Sequence, residues 1–182
     1  MKQALKQYGS CVALALLSAG AFADTAASIQ AVHKDWMVPR TAEFAAASDR
    51  LTDALAAYCA APADSADKAL VQPRQAWREA LIGWERLSAV AIGPVLDQRM
   101  QRRIDFMPTR PRMILKAIKS APSTAQDMEL IGTPAKGLPA LEWLLWTQPI
   151  QPATPACAYA VQGAKEIGNE ARHMEHGYRQ AA

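Results

Sequence analysis

Residues 137–146 read Gly-Leu-Pro-Ala-Leu-Glu-Trp-Leu-Leu-Trp, an apolar and aromatic run holding one carboxylate, Glu142. Leu138, Leu141 and Leu145 recur at i, i+3 and i+7, which is the spacing of one helical face and not the alternation of a strand. Glu142 lies on the row joining Leu138 to Trp146. Removing an ionised carboxylate from water is costly unless it is paired, hydrogen-bonded or metal-bound. The stretch therefore predicts a helix in which Glu142 is covered and has a partner.

Working outward, the same helical period dominates the chain. Ile29, Val32, Trp36, Leu51, Leu55 and Tyr58 largely keep it over a first segment from Asp24 to Cys59, with a kink expected near Val38 because Pro39 removes a backbone bond. A second helix is predicted over 67–92, with Leu70, Trp77, Leu81, Trp84, Leu87 and Ala91 as its core stripe and Gly93-Pro94 as its stop. The two tryptophans read as core and not as a ligand cage. A short helix over 113–119 ends in basic residues, as the helix dipole favours. Residues 124–130 read as one or two helical turns, 131–136 as loop and the proline-rich 147–155 as extended. The last helix spans 156–178 and places Tyr159, Gln162, Glu166, Asn169, His173 and His176 near one side. No alternating run or hairpin signal is present, so the predicted class is all-α, an up-and-down helical bundle.

The N-terminus reads as an export signal. Lys2 and Lys6 precede an apolar run, and Ala21-Phe22-Ala23 supplies a small-x-small cleavage site, which predicts a signal peptide over 1–23 and a periplasmic mature chain over 24–182. No apolar run is long enough for a transmembrane segment. After removal of the leader, 18 bases face 17 acids. That balance argues against nucleic acid as a partner. The two cysteines left, Cys59 and Cys157, favour a disulfide in an exported chain, with two buried free thiols as the alternative.

The motifs that carry chemistry are sparse. No Gly-x-Ser-x-Gly, glycine-rich phosphate loop or His-Glu-x-x-His is present, so no catalytic residue is assigned. His173 and His176, three apart on a helix, are candidate metal ligands with Glu170 or Glu142 as an oxygen donor. Arg99, Arg102, Arg103, Arg110 and Arg112 surround Asp105 in a basic cluster that could hold an anion or a buried acid, or form a solvated face.

Taken in order, several blocks resemble the imelysin-like family of bacterial exported proteins. They are Cys59 closing the first helix, Trp77 and Trp84 with Gly93-Pro94, Arg103-Ile104-Asp105-Phe106-Met107-Pro108, the 137–146 stretch, and Cys157 opening the last helix. The resemblance implies a helical periplasmic or cell-surface protein whose full domain holds two related bundles. It also implies links to iron uptake or regulation and, from the founding member, metallopeptidase activity. The family's Gly-x-His-x-x-Glu motif falls on Gly137 and Glu142, but Pro139 occupies the histidine position and offers neither donor nor ligand. On this reading Gly137, Glu142, Arg103 and Asp105 are the motif or binding residues, with Arg103 the expected ion-pair partner of Glu142. Iron or another divalent metal is the implied cofactor. The chain matches only one bundle, so it reads as a truncated imelysin-like domain whose partner is a second helical bundle or another periplasmic protein. The leading expectation is a non-catalytic protein with an iron- or metal-related binding role. The alternatives are an imelysin-type metallopeptidase and a structural or partner-binding bundle.

Overall fold

A computed structural model describes residues 25, 27–62 and 70–181. The proposed signal peptide lies outside these residues, as do the first residues of the predicted second helix. No strand occurs among the described residues, and the protein is an all-α bundle. Three long helices carry it: α1 (Val38–Ala60), α2 (Val71–Ser88) and the C-terminal helix, Pro155–Ala181. Between the last two, α3 (Gly93–Asp97), α4 (Met100–Ile104), α5 (Pro111–Ser120), α6 (Ala125–Glu129) and α7 (Gly137–Glu142) build the remaining side from short pieces. The C-terminal helix is therefore α8. It packs along α1, and α1 packs in turn on α2.

The expected break at Pro39 takes the form of a π-helical turn, Val32–Met37, running into α1. The Val38 amide reaches back to the His33 carbonyl, and Pro39 sits in the first turn of α1, where a missing N–H costs least. Ile29, Val32 and Trp36, read as part of the helical stripe, are instead exposed, because the core begins only at Met37. From there Phe44, Leu51, Leu55 and Tyr58 are buried on one face of α1.

On α2 the stripe holds for Trp77, Trp84 and Leu87, with Leu70 buried just ahead of it. The two indoles have different partners: Trp84 meets Phe44 with ring centroids 5.6 Å apart, and Trp77 meets Trp146 at 5.0 Å. The helix ends at Ser88, so Ala91 lies outside it and is exposed. Gly93-Pro94 does not stop α2 but opens α3, with Gly93 at φ +49°. That glycine faces the Tyr178 ring, and Tyr178 donates to the Ile92 carbonyl at 2.5 Å and accepts from the Val95 amide at 3.4 Å. One tyrosine of α8 thereby ties down the chain reversal between α2 and α3.

A disulfide joins Cys59 to Cys157 across 98 residues, linking the end of α1 to the start of α8. In the chain-entropy account a loop of this length stabilises the fold by about 4 to 5 kcal/mol. Beside it, Tyr58 donates to the Ile150 carbonyl at 2.7 Å and the Ala153 amide to the Cys59 carbonyl at 3.3 Å. The connection is shorter than expected, 148–154, and is not extended throughout, since it turns at Pro152 and Ala153, the latter at φ +58°; it is fastened to α1 by polar bonds as well as by the bridge.

Candidate functional site

The 137–146 stretch is helical, as read from its period, but its chemistry differs from the expectation. Gly137 to Leu141 are buried, whereas Glu142 is exposed. Among the described residues Glu142 makes no ion pair and no side-chain hydrogen bond. Leu138, Leu141 and Leu145 are buried as their spacing predicts, whereas the edge of α7 that carries Glu142 faces solvent.

What holds α7 is backbone fit. Gly137 has φ +76°, a conformation that side chains rarely adopt, and a Cβ there would lie 2.9 Å from the Ile104 carbonyl carbon and closer still to its oxygen. Trp77 donates its indole N–H to the Leu138 carbonyl at 3.0 Å. Beyond Glu142 the helix widens into a π-turn, Trp143–Thr147, in which the Gln148 amide reaches the Trp143 carbonyl at 2.8 Å. Pro149 has no N–H to offer Leu145, four residues back. Arg74 caps that carbonyl instead, through Nε at 3.0 Å and Nη2 at 2.7 Å. The Arg74 and Arg78 guanidiniums also lie 5.7 Å and 5.3 Å from the Trp146 ring centroid.

The buried charge sits elsewhere, between α8 and the segments around α4 and α6. Arg103, expected to meet Glu142, places Nη1 3.0 Å from Glu170 Oε1 and Nη2 3.6 Å from Glu129 Oε2. Lys136, one residue before the motif, is buried, donates to the Met128 carbonyl at 2.9 Å and pairs with Glu166 at 2.5 Å. Asp105 is half-buried and accepts from Gln101 at 3.3 Å, outside this network. His173 and His176 are exposed on α8 and do not join the carboxylates in one ligand group, although a positive His173 favours the ionised form of Glu170.

Glu129, Glu166 and Glu170 each bring an oxygen within 4.8 Å of the others. They line a cleft of about 260 Å³ with Thr124, Met128 and Gln162. Burial pushes the Glu166 carboxyl up from its ordinary value, against the pull of Lys136. Burial likewise raises Glu170, against Arg103. On the same helix Tyr159 donates to the Ala135 carbonyl at 2.5 Å, and burial together with the Glu166 charge holds its phenol well above the usual range, so it stays a neutral donor.

The donor chemistry can be set against the metal that the motif implies. Pro139 is buried and carries no ligand atom, and Glu142 points to solvent, so Gly137, Pro139 and Glu142 do not assemble a metal site. Glu129, Glu166 and Glu170 are hard oxygen donors suited to hard cations such as ferric iron. Lys136 and Arg103 already balance two of the three charges, so a metal ion would bind in competition with them. Sequence reasoning named Glu170 only as a ligand beside His173 and left Glu166 and Lys136 without a role. Their spacing carries no motif. The available signal was the i, i+4 spacing of Glu166 and Glu170 on the last helix, of which only Glu166 falls on the side shared by Tyr159 and Gln162 in the sequence reading.

Among solved structures, an imelysin-like protein from Psychrobacter arcticum superposes with a TM-score of 0.74 at 23% identity, covering 85% of this chain and 49% of that one. The chain thus spans about half the length of that relative and shares its fold. No curated protein matches. The sequence signature of the imelysin family matches residues 20–182, and the chain belongs to that family.

Proposed function

We propose that the chain is an exported, periplasmic binding protein with an iron-related role, taking a hard cation at Glu129, Glu166 and Glu170 and catalysing no reaction. The observation that carries the reading is the convergence of three carboxylate oxygens within 4.8 Å among the residues that line one cleft. The half-buried Glu166 and the buried Glu170 are both raised by desolvation, so an added cation would be favoured there as a charge partner. Export is supported by the disulfide, which persists in oxidising compartments, and by the N-terminal signal reading.

Calorimetric titration of the chain with ferric citrate tests this, alongside Glu166→Gln with Glu170→Gln and alongside Glu142→Ala. The expected outcome is binding that the double substitution removes and Glu142→Ala leaves intact. Heat unchanged by the double substitution would refute the assignment. A second reading, a purely structural cluster, is favoured by the Lys136 to Glu166 contact. It predicts that the double substitution alters the unfolding midpoint while no metal binds to either form.

A further inference from the structure

Seven cations and the single acid Asp105 occupy residues 99–119, in a chain whose formal net charge is only +3. Most of that excess lies on or beside α5. Its buried residues are Ile114 and Ala117, which fix the inward direction of the helix. Arg112, Lys116 and Lys119, at i, i+4 and i+7, then form a row along the opposite, exposed face. None of the three, nor Arg110, makes an ion pair with a carboxylate among the described residues. Met113 and Leu115 flank the row on either side, 42% and 46% exposed. Across a cleft of about 360 Å³, walled by Met113, Ala117 and Ile131, stands Leu130, 86% exposed.

We propose that the outer face of α5, together with Leu130, is a docking surface for an anionic lipid bilayer. An ordinary solvated helix face mixes both signs of charge and rarely leaves several large apolar side chains between its cations. A lipid headgroup layer satisfies both features at once. Its phosphates neutralise Arg112, Lys116 and Lys119, and Met113, Leu115 and Leu130 enter the boundary with the acyl chains. A soluble polyanion would meet the cations equally well but would leave the three apolar side chains in water. No described helix is long and apolar enough to cross a membrane, so the contact is adsorption to the surface.

The test is sedimentation of the full chain, as recovered from expressing cells, with vesicles of phosphatidylcholine alone and of phosphatidylcholine mixed with phosphatidylglycerol. All variants share the same N-terminus, so the difference between them is the readout. Binding is expected only to the mixed vesicles and should fall with added salt. Arg112→Glu, Lys116→Glu and Lys119→Glu together should weaken it by roughly 100-fold or more, and Met113→Ser, Leu115→Ser and Leu130→Ser together by about tenfold. All six side chains are exposed, and unchanged circular dichroism and thermal midpoint would show the variants folded. Absence of binding to mixed vesicles, or binding unaffected by the charge reversal, overturns the proposal. So does full vesicle binding by the serine variant together with equal binding of soluble polyphosphate, which would identify a polyanion site instead.

Discussion

The 137–146 stretch and the network around Lys136, Glu166 and Glu170 adjoin in sequence at one point, yet they are stabilised by opposite means. The first is held by shape: a glycine pressed on the Ile104 carbonyl, an indole N–H on the Leu138 carbonyl, and an arginine capping the carbonyl that Pro149 leaves free. Among the described residues its own carboxylate makes no ion pair or hydrogen bond. The second is held by charge, with Lys136 and Arg103 each facing a glutamate of α8. The comparison teaches that a buried-looking acid in a hydrophobic run can be the least constrained residue of its segment, whereas an unremarkable lysine beside the run is committed.

Substitutions at the two places separate these modes. Gly137→Ala should have the largest effect, about 3 to 5 kcal/mol by urea denaturation, since it combines strained backbone with overpacking against backbone that cannot move aside. A near-neutral result would mean that α7 is not held by this contact. Lys136→Met alone should cost about 3 kcal/mol, because it leaves Glu166 buried without its cation. Combined with Glu166→Leu, much of that loss should be recovered, and simple additivity in the double-mutant cycle would show that the pair is not coupled.

The pH response sharpens the contrast further. Glu170 has a folded value raised above its ordinary one, so the folded state binds more protons than the unfolded state across that window. Its contribution to stability is then fully present below the ordinary glutamate range and is lost as pH rises through the raised value. Relative to wild type, Glu170→Gln should gain stability in thermal melts as pH rises from the ordinary glutamate range through the raised value. A constant difference across that range would remove the argument. Asp127 behaves with the opposite sign. The Ser123 amide, the Thr124 hydroxyl and the Thr124 amide hold its carboxyl below the ordinary value, so its contribution is present at neutral pH and lost on acidification. The smallest effect should come from Glu142→Ala, within about 0.5 kcal/mol, as for an exposed side chain away from special features.

Much of the architecture was legible from periodicity alone. The buried faces of α1 and α2 from Leu51 and Trp77 onward, the break ahead of Pro39 and the extent of α8 all follow from apolar spacing and backbone chemistry. So does the all-α class. The Cys59 to Cys157 bridge was favoured by an even cysteine count in an exported chain. The exposure of Ile29, Val32 and Trp36 was not legible, because a helical stripe states which residues share a face but not whether another element covers it. Gly93-Pro94 was misread for a related reason: a glycine at positive φ followed by proline fits a helix end and a helix start equally well, and the Tyr178 contact decides between them.

The sequence by itself determined that the chain is helical, which residues share a helical face, where prolines interrupt, and that a disulfide was favoured. These are properties of neighbours along the chain, set by backbone sterics and a 3.6-residue repeat. Only the tertiary structure decided that Arg103 faces Glu170 and Glu129 and not Glu142, and that Lys136 is buried against Glu166. Ion-pair choice depends on which charges lie a few ångströms apart across elements 26 to 67 residues distant in sequence, and no local pattern encodes that distance.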